Sequence, residues 1–190
     1  MKIKHGVVLG AILGLAATQI AMAEPTALQL IKNGDDYVGM PSRDKVLEVY
    51  SEKSVAHLEP NVWHILYYDP SVMSRSVDVK FGAGQEMEVS HPMRPFTFPA
   101  RARDVLDQSK LRVDSDQALH TAASQRLLNG LTLRSSRLTL ESTDDGIVWK
   151  VELWAARTSD PTKEAGIGSV SVSAYDGSIV TSDLHPSRVN

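Results

Sequence analysis

The stretch "SVSVSAYDGSIVTSDLHPSR" (residues 169–188) predicts a β-hairpin. Its apolar residues from 170 to 174 alternate with serines, which is typical of a strand with one buried face. Asp176 and Gly177 form a two-residue turn of the type that accepts positive φ angles. A similar stretch, "SVDVKFGAGQEMEVSHPMR" (residues 76–94), occurs earlier, with "GAG" at the turn. The chain therefore contains two similar predicted hairpins.

The similarity extends beyond the hairpins. Trp63 in "NVWHILYYDP" corresponds to Trp149 in "GIVWKVELWAARTSDP", 86 positions later. The offset rises to 94 for His91 and His185, each of which precedes a proline. A slow, one-directional drift is typical of small loop insertions. We interpret the pattern as an internal duplication.

A helix is predicted before the strands of each copy. In "PSRDKVLEVYSEKS" (residues 41–54), apolar residues recur at the three- and four-residue spacing of one helix face. In "DSDQALHTAASQRLLNG" (residues 114–130), Asp114 is the predicted N-cap and Gly130 the predicted stop. An additional strand, "LTLRSSRLTLES", is predicted only in the second copy. The first copy is thus predicted to be abridged.

The N-terminus has the pattern of a secretory signal peptide. Lys2 and Lys4 precede a short apolar run, and Ala21 and Ala23 supply small residues at a cleavage site. The run is shorter than the roughly 20 residues that cross a bilayer. We expect residues 1–23 to be removed, so that the mature chain begins at Glu24 with no stable membrane anchor.

The composition restricts the expected cellular compartment and the expected classes of partner. The chain has no cysteine, which in an exported protein favours the bacterial periplasm, or secretion, over disulfide-stabilised eukaryotic domains. Loss of Lys2 and Lys4 leaves 18 of the 20 basic residues against 23 acidic ones. This acidic balance argues against a nucleic-acid partner.

The domain boundary is predicted at a proline-containing linker. Pro92, Pro95 and Pro99 lie within eight positions, where proline disfavours both helix and central strand. We therefore expect a first module over residues 24–94, a linker over residues 95–110 and a second module over residues 111–190.

The second copy resembles the PepSY family. The similarity rests on the helix at residues 114–123, the strand "VWKVEL" and the hairpin at residues 170–180, and it covers roughly residues 111–184. Two positions depart from the family pattern, Ser173 and Asp176. The resemblance implies an α+β module in which a helix packs on a curved antiparallel sheet of the cystatin-like type. The first half is similar only through the internal repeat, which extends the expectation to two tandem modules of this kind. The resemblance also implies a non-catalytic role in binding or inhibition.

Motifs of common enzyme classes are missing from the sequence. It contains no G-x-S-x-G, no H-E-x-x-H and no glycine-rich nucleotide loop. The histidines that follow the predicted cleavage site show no i, i+2 or i, i+4 pairing, so no local metal site is predicted. We therefore expect no catalytic residue, no metal and no cofactor.

A candidate binding surface is predicted on the strand face opposite the two tryptophans. If Trp63 and Trp149 point into the core, the other face carries His64 and Tyr68 in the first copy and Lys150 and Trp154 in the second. An aromatic residue on a wet face often marks a contact. These four residues are the candidate site. The alternative is that the modules dock on each other or that a loop covers the aromatic rings.

Two classes of function follow. The favoured one is an exported, non-catalytic protein that binds or inhibits a periplasmic protein or peptide. The alternative is a protein with a cavity between helix and sheet, either for a small molecule or lipid or as an unrecognised enzyme site.

Overall fold

The computed structural model describes residues 24–92 and 100–189. The predicted signal peptide, residues 1–23, and most of the proline cluster, residues 93–99, lie outside the described residues. Within the described ranges, no helix combines the length and the apolar character needed to span a membrane.

The first half of the chain forms one helix and four strands. In chain order these are α1 (Ala27–Gly34), β1 (Val46–Ser51), β2 (Val62–Tyr68), β3 (Ser76–Gly82) and β4 (Gln85–Ser90). The second half repeats this order, and its first three strands are longer: α2 (Ser115–Ala123), β5 (Leu131–Thr143), β6 (Gly146–Arg157), β7 (Asp160–Ser173) and β8 (Ile179–Leu184). Single 3-10 turns occupy part of the connection between the halves, at Ala102–Asp104 and Gln108–Lys110.

All eight strands belong to one antiparallel sheet. Their order is β4-β3-β2-β1-β5-β6-β7-β8, so the halves meet at their first strands. Both helices pack on the same side, and the side chains between helices and sheet form one core that includes Leu30, Trp63, Leu119 and Trp149. We call this side of the sheet the inner face and the opposite side the outer face.

The predicted pair of separate helix-on-sheet modules is wrong. The edge of β1 is not left open but pairs with β5, through Val49 with Leu140 and Tyr50 with Thr139. The two tryptophans then meet in the shared core, with ring centres 6.3 Å apart in an edge-to-face arrangement. Joining the sheets satisfies two strand edges and buries a larger apolar area than two small modules could.

Buried serines complete the junction where the backbone ladder between β1 and β5 is short. Ser51 Oγ accepts a hydrogen bond from the amide of Leu138 at 2.9 Å, and Ser54 Oγ accepts one from the amide of Ser136 at 2.9 Å. Ser136 Oγ in turn donates to the carbonyl of Leu58 at 2.6 Å. These bonds satisfy polar groups that would be costly to bury unpaired.

The helix predicted over residues 41–54 is also wrong, because this segment contains β1. The sequence "VLEVYS" fits the spacing of one helix face, but Val49 and Ser51 alternate into the core and Glu48 and Tyr50 lie on the outer face. The helix of the first half lies earlier, at Ala27–Gly34. In the second half, Asp114 is the N-cap as predicted, but α2 ends at Ala123 rather than near Gly130.

Candidate functional site

The outer face carries most of the polar side chains of the sheet. One row of directly paired residues crosses its centre: Lys80, His64, Tyr50, Thr139, Lys150 and Ser171. His64 and Lys150 were predicted to share a face, and they lie in this one row. The strand alternation that predicted them holds at His64 and Lys150, although β2 is buried on both sides at Leu66 and Tyr68.

The other two predicted residues lie at opposite ends of this face. β2 and β6 run in opposite directions, so Tyr68 is four residues from the central row on one side and Trp154 is four residues from it on the other. At about 3.3 Å per residue they are separated by roughly 26 Å along the strands. Tyr68 is also buried, whereas Trp154 is partly exposed. The structure does not bring these two aromatic residues together.

A hydrogen-bonded cluster surrounds His64. Its Nδ1 lies 2.9 Å from Oδ2 of Asp78, and the same oxygen accepts a bond of 3.3 Å from the hydroxyl of Tyr50. The rings of Tyr50 and His64 stack, with centres 4.6 Å apart and planes within 4°. Asp78 is itself buried on β3. The imidazole is thus held in one orientation.

The far side of the His64 ring faces a carboxylate. Its Nε2 lies 3.5 Å from Oε1 of Glu52, which also accepts a bond of 2.7 Å from Lys80. Burial opposes the charge on His64, but the hydrogen bond and charge of Asp78 outweigh it and raise the pKa of His64. The hydrogen bond from Lys80 lowers the pKa of Glu52. Because Nε2 faces Glu52 rather than a hydroxyl, this geometry fits ion pairing better than activation of a nucleophile.

The raised pKa of His64 predicts a pH-dependent stability. The charged ring stabilises the fold fully below its unfolded pKa of about 6.5, and this contribution disappears as pH rises through the folded value. We expect His64→Gln to lower the free energy of unfolding more at pH 6 than at pH 9. Urea melts at both pH values measure this difference, with the exposed His120→Gln as control. A difference that stays constant or grows with pH contradicts the prediction.

Two cations lie over the ring of Trp154 at the other end of the outer face. Lys53 Nζ is 4.6 Å from the centre of the indole ring, and Arg137 Cζ is 5.7 Å from it. The ring lies against Gly166 on β7, where a Cβ atom would meet the indole Nε1 at 3.2 Å. Glycine thus allows the close approach of the ring to the neighbouring strand.

Ion pairs hold the two cations in place. Lys53 Nζ lies 2.6 Å from Oε1 of Glu164, and Ser135 Oγ donates to the same oxygen at 2.7 Å. Arg137 lies 3.5 Å from Glu152. The hydrogen bond from Lys53 lowers the pKa of Glu164, so this carboxylate stays charged. These ion pairs hold Lys53 and Arg137 next to the indole ring.

The indole N–H of Trp154 remains available. Among the described residues it donates no hydrogen bond, and it is not one of the fully buried polar atoms that lack a partner. A partly exposed ring with an accessible donor is the arrangement that tryptophan adopts at protein interfaces.

An open depression of about 640 Å³ separates the His64 cluster from Trp154. It lies over the junction of β1 and β5, and its charged lining includes both signs: Glu48, Glu52, Lys53, Arg137 and Glu152. Across residues 24–92 and 100–189, no group of three or more histidines and carboxylates is arranged to hold a metal ion. The depression therefore offers paired charges on a broad surface.

Several residues of this surface were missed at the level of sequence. Lys53, Arg137 and Glu164 come from three different strands or loops, and only the register of the sheet brings them together. Gly166 and Gly168 in "AGIGS" were a usable signal, because paired glycines in a strand often mark a bulge. The ladder between β6 and β7 does shift register at this point.

Comparison with models of protein families, with curated proteins and with solved structures found no match to this chain.

Proposed function

We propose that this protein is a non-catalytic binding protein of the bacterial cell envelope that captures a protein or peptide on its outer face. The observation that carries the proposal is Trp154, whose partly exposed indole has an N–H without a protein partner among the described residues. The signal-peptide pattern of residues 1–23 supports export, and the PepSY resemblance of residues 111–184 supports a binding or inhibitory role.

The setting of Trp154 suits a binding anchor. A rigid aromatic ring buries a large apolar area at small entropic cost, and tryptophan is enriched among residues that dominate interface energy. Here the ring packs against Gly166, and Lys53 and Arg137 lie over it. Because these groups are already ordered, a partner does not have to order them on binding.

The surrounding charges favour a polar partner surface. Lys53 and Arg137 flank the ring, while Glu152 and Glu164 pair with them at its border. A partner that packs an apolar group against the ring can also form ion pairs with these four charged residues. Such charge complementarity contributes to specificity more than to affinity. A peptide or protein surface of mixed charge meets this requirement.

The proposal is tested by site-specific photocrosslinking in the cells that express the protein. A photoreactive phenylalanine at Ser169 on the outer face is compared with one at the exposed Gln117 on α2. We expect one partner to crosslink from residue 169 and not from residue 117. Crosslinking of equal strength from both positions contradicts the proposal.

Trp154→Ala tests the anchor itself once that partner is identified. Loss of an aromatic anchor costs about 2 kcal/mol or more, so the dissociation constant should rise about thirtyfold. Trp154→Phe should recover part of the loss, and Gly166→Ala, which displaces the ring, should weaken binding without removing it. Calorimetric titration measures all three. An unchanged affinity for Trp154→Ala places the partner elsewhere.

A further inference from the structure

A second concave site lies on the inner side of the molecule, away from Trp154. It is a partly enclosed cavity of about 330 Å³ between the residues that lead into α1, the loop from β1 to β2 and the start of α2. A volume of this size falls at the lower end of the range for small-molecule pockets.

The base of the cavity is apolar. Trp63, Leu119 and Leu138 line it, and all three are buried. Pro25 and Pro60 form apolar walls at the side. Two polar groups at the base are occupied, since Trp63 Nε1 donates to the carbonyl of Pro60 at 3.2 Å and Ser115 Oγ accepts from the amide of Ala27 at 3.1 Å. The buried hydroxyl of Thr26, which also lines the cavity, has no hydrogen-bond partner among the described residues. The base therefore offers an apolar surface with few free polar groups.

The rim of the cavity is acidic. Glu24, Glu59 and Asp116 line it together with His57, and neither lysine nor arginine is among the lining residues. Within residues 24–92 and 100–189, none of the three carboxylates forms an ion pair. Cleavage before Glu24 would add one ammonium group and leave an excess of negative charge.

Two helix N-termini point toward this region, but their partial positive charge is already compensated. Oδ1 of Asp114 accepts hydrogen bonds from the amide of Leu28 in α1 at 3.1 Å and from the amide of Ser115 in α2 at 2.7 Å. The two N-termini carry about half a charge each, which one carboxylate balances. The helix N-termini therefore do not neutralise the rim carboxylates.

We propose that this cavity binds a small amphipathic cation, with its aromatic or aliphatic body on Trp63 and Leu138 and its ammonium group among Glu24, Glu59 and Asp116. One water occupies about 30 Å³ of liquid, so a cavity of about 330 Å³ holds a ligand of about ten non-hydrogen atoms. The apolar base stabilises the complex by burying the apolar body of the ligand, and the acidic rim favours a ligand with a positive charge. This site is independent of the outer face and does not rest on the proposed capture of a partner there.

The test uses 2-phenylethylammonium as probe, with neutral 2-phenylethanol and anionic 3-phenylpropanoate as matched compounds. Titrations followed by calorimetry or by protein NMR use the protein as isolated from cells that export it. We expect saturable binding of the cation, weaker binding of the alcohol and none of the anion. Equal affinities for cation and alcohol overturn the proposal, as does the absence of saturable cation binding.

Variants locate the binding site. Glu59→Gln and Asp116→Asn each remove one rim charge, and each should weaken cation binding about two- to fivefold, the range of an exposed ion pair, while leaving the alcohol unaffected. Asp144→Asn removes an exposed carboxylate in the turn between β5 and β6, which does not line the cavity, and should change neither. Asn61→Trp adds bulk at the exposed mouth of the cavity and should abolish both. Cation binding that survives Asn61→Trp overturns the assignment.

Discussion

Replacing Trp149 by alanine is expected to lower the free energy of unfolding by roughly 3–5 kcal/mol, a large part of the stability of a typical domain. The side chain is fully buried, and its Nε1 donates to the carbonyl of Val113 at 2.9 Å. Its ring also contacts Trp63 edge to face across the junction of the two halves. The substitution therefore opens a cavity, leaves the carbonyl of Val113 unpaired and removes a contact that joins the halves.

Trp154→Ala is the matched control for this prediction. Both tryptophans lie on β6, but Trp154 is partly exposed on the outer face, so its removal should cost much less stability. Urea melts of the two variants and the parent protein give the comparison. A loss under about 1 kcal/mol for Trp149→Ala contradicts its central place in the core. Equal losses would make Trp154 a structural residue and remove the basis of the proposed anchor.

The strands were predictable because they carry strong local signals. Alternation identified the strands around Trp63, Trp149 and Val170. Gly177 with φ of 76° lies in the connection of the predicted hairpin, but the predicted two-residue turn is wrong, because the connection spans residues 174–178 and Asp176 does not have a positive φ. The helices were less predictable. Residues 46–51 fit both a helix face and a half-buried strand, and pairing with β2 and β5 decided between them. Short segments of this kind are settled by tertiary contacts.

The single sheet could not be predicted from the repeat. An internal repeat is compatible with two separate modules and with one joined sheet. The two architectures differ in whether β1 pairs with β5. The buried serines that support the junction, Ser51, Ser54 and Ser136, look like ordinary polar strand residues in the sequence. Their hydroxyl groups can be buried because they form hydrogen bonds at the junction of the two halves.

The candidate site could be predicted only in part, because its geometry also depends on how the strands pair. Period-two alternation placed His64, Lys150 and Trp154 on one face without fixing how far apart they are. Strand direction separates Tyr68 from Trp154, and register brings Lys53 and Arg137 to the indole ring. Direction and register are properties of pairs of strands, so a single sequence carries little information about them.

Gly168→Ala is expected to lower the free energy of unfolding by about 3 kcal/mol or more. Gly168 has φ of 113°, a region that residues with a side chain rarely occupy, at a cost of about 1–3 kcal/mol. A Cβ atom there would also collide with the backbone carbonyl of Asp183 on β8, and backbone cannot rotate away as a side chain can. The last strand pair would have to separate around residues 168 and 184.

Gly130→Ala separates the two causes. Gly130 has φ of 86°, but the space around its added Cβ is open, so this variant should show the conformational cost alone, about 1–2 kcal/mol. The additional loss in the free energy of unfolding for Gly168→Ala then measures the cost of the collision with β8. Because Gly168 follows the register shift that brings Gly166 under Trp154, this variant should also change the fluorescence of the tryptophans in the folded state, whereas Gly130→Ala should not. Equal stability losses for the two variants would show that β7 and β8 are farther apart at this point than the structure has them.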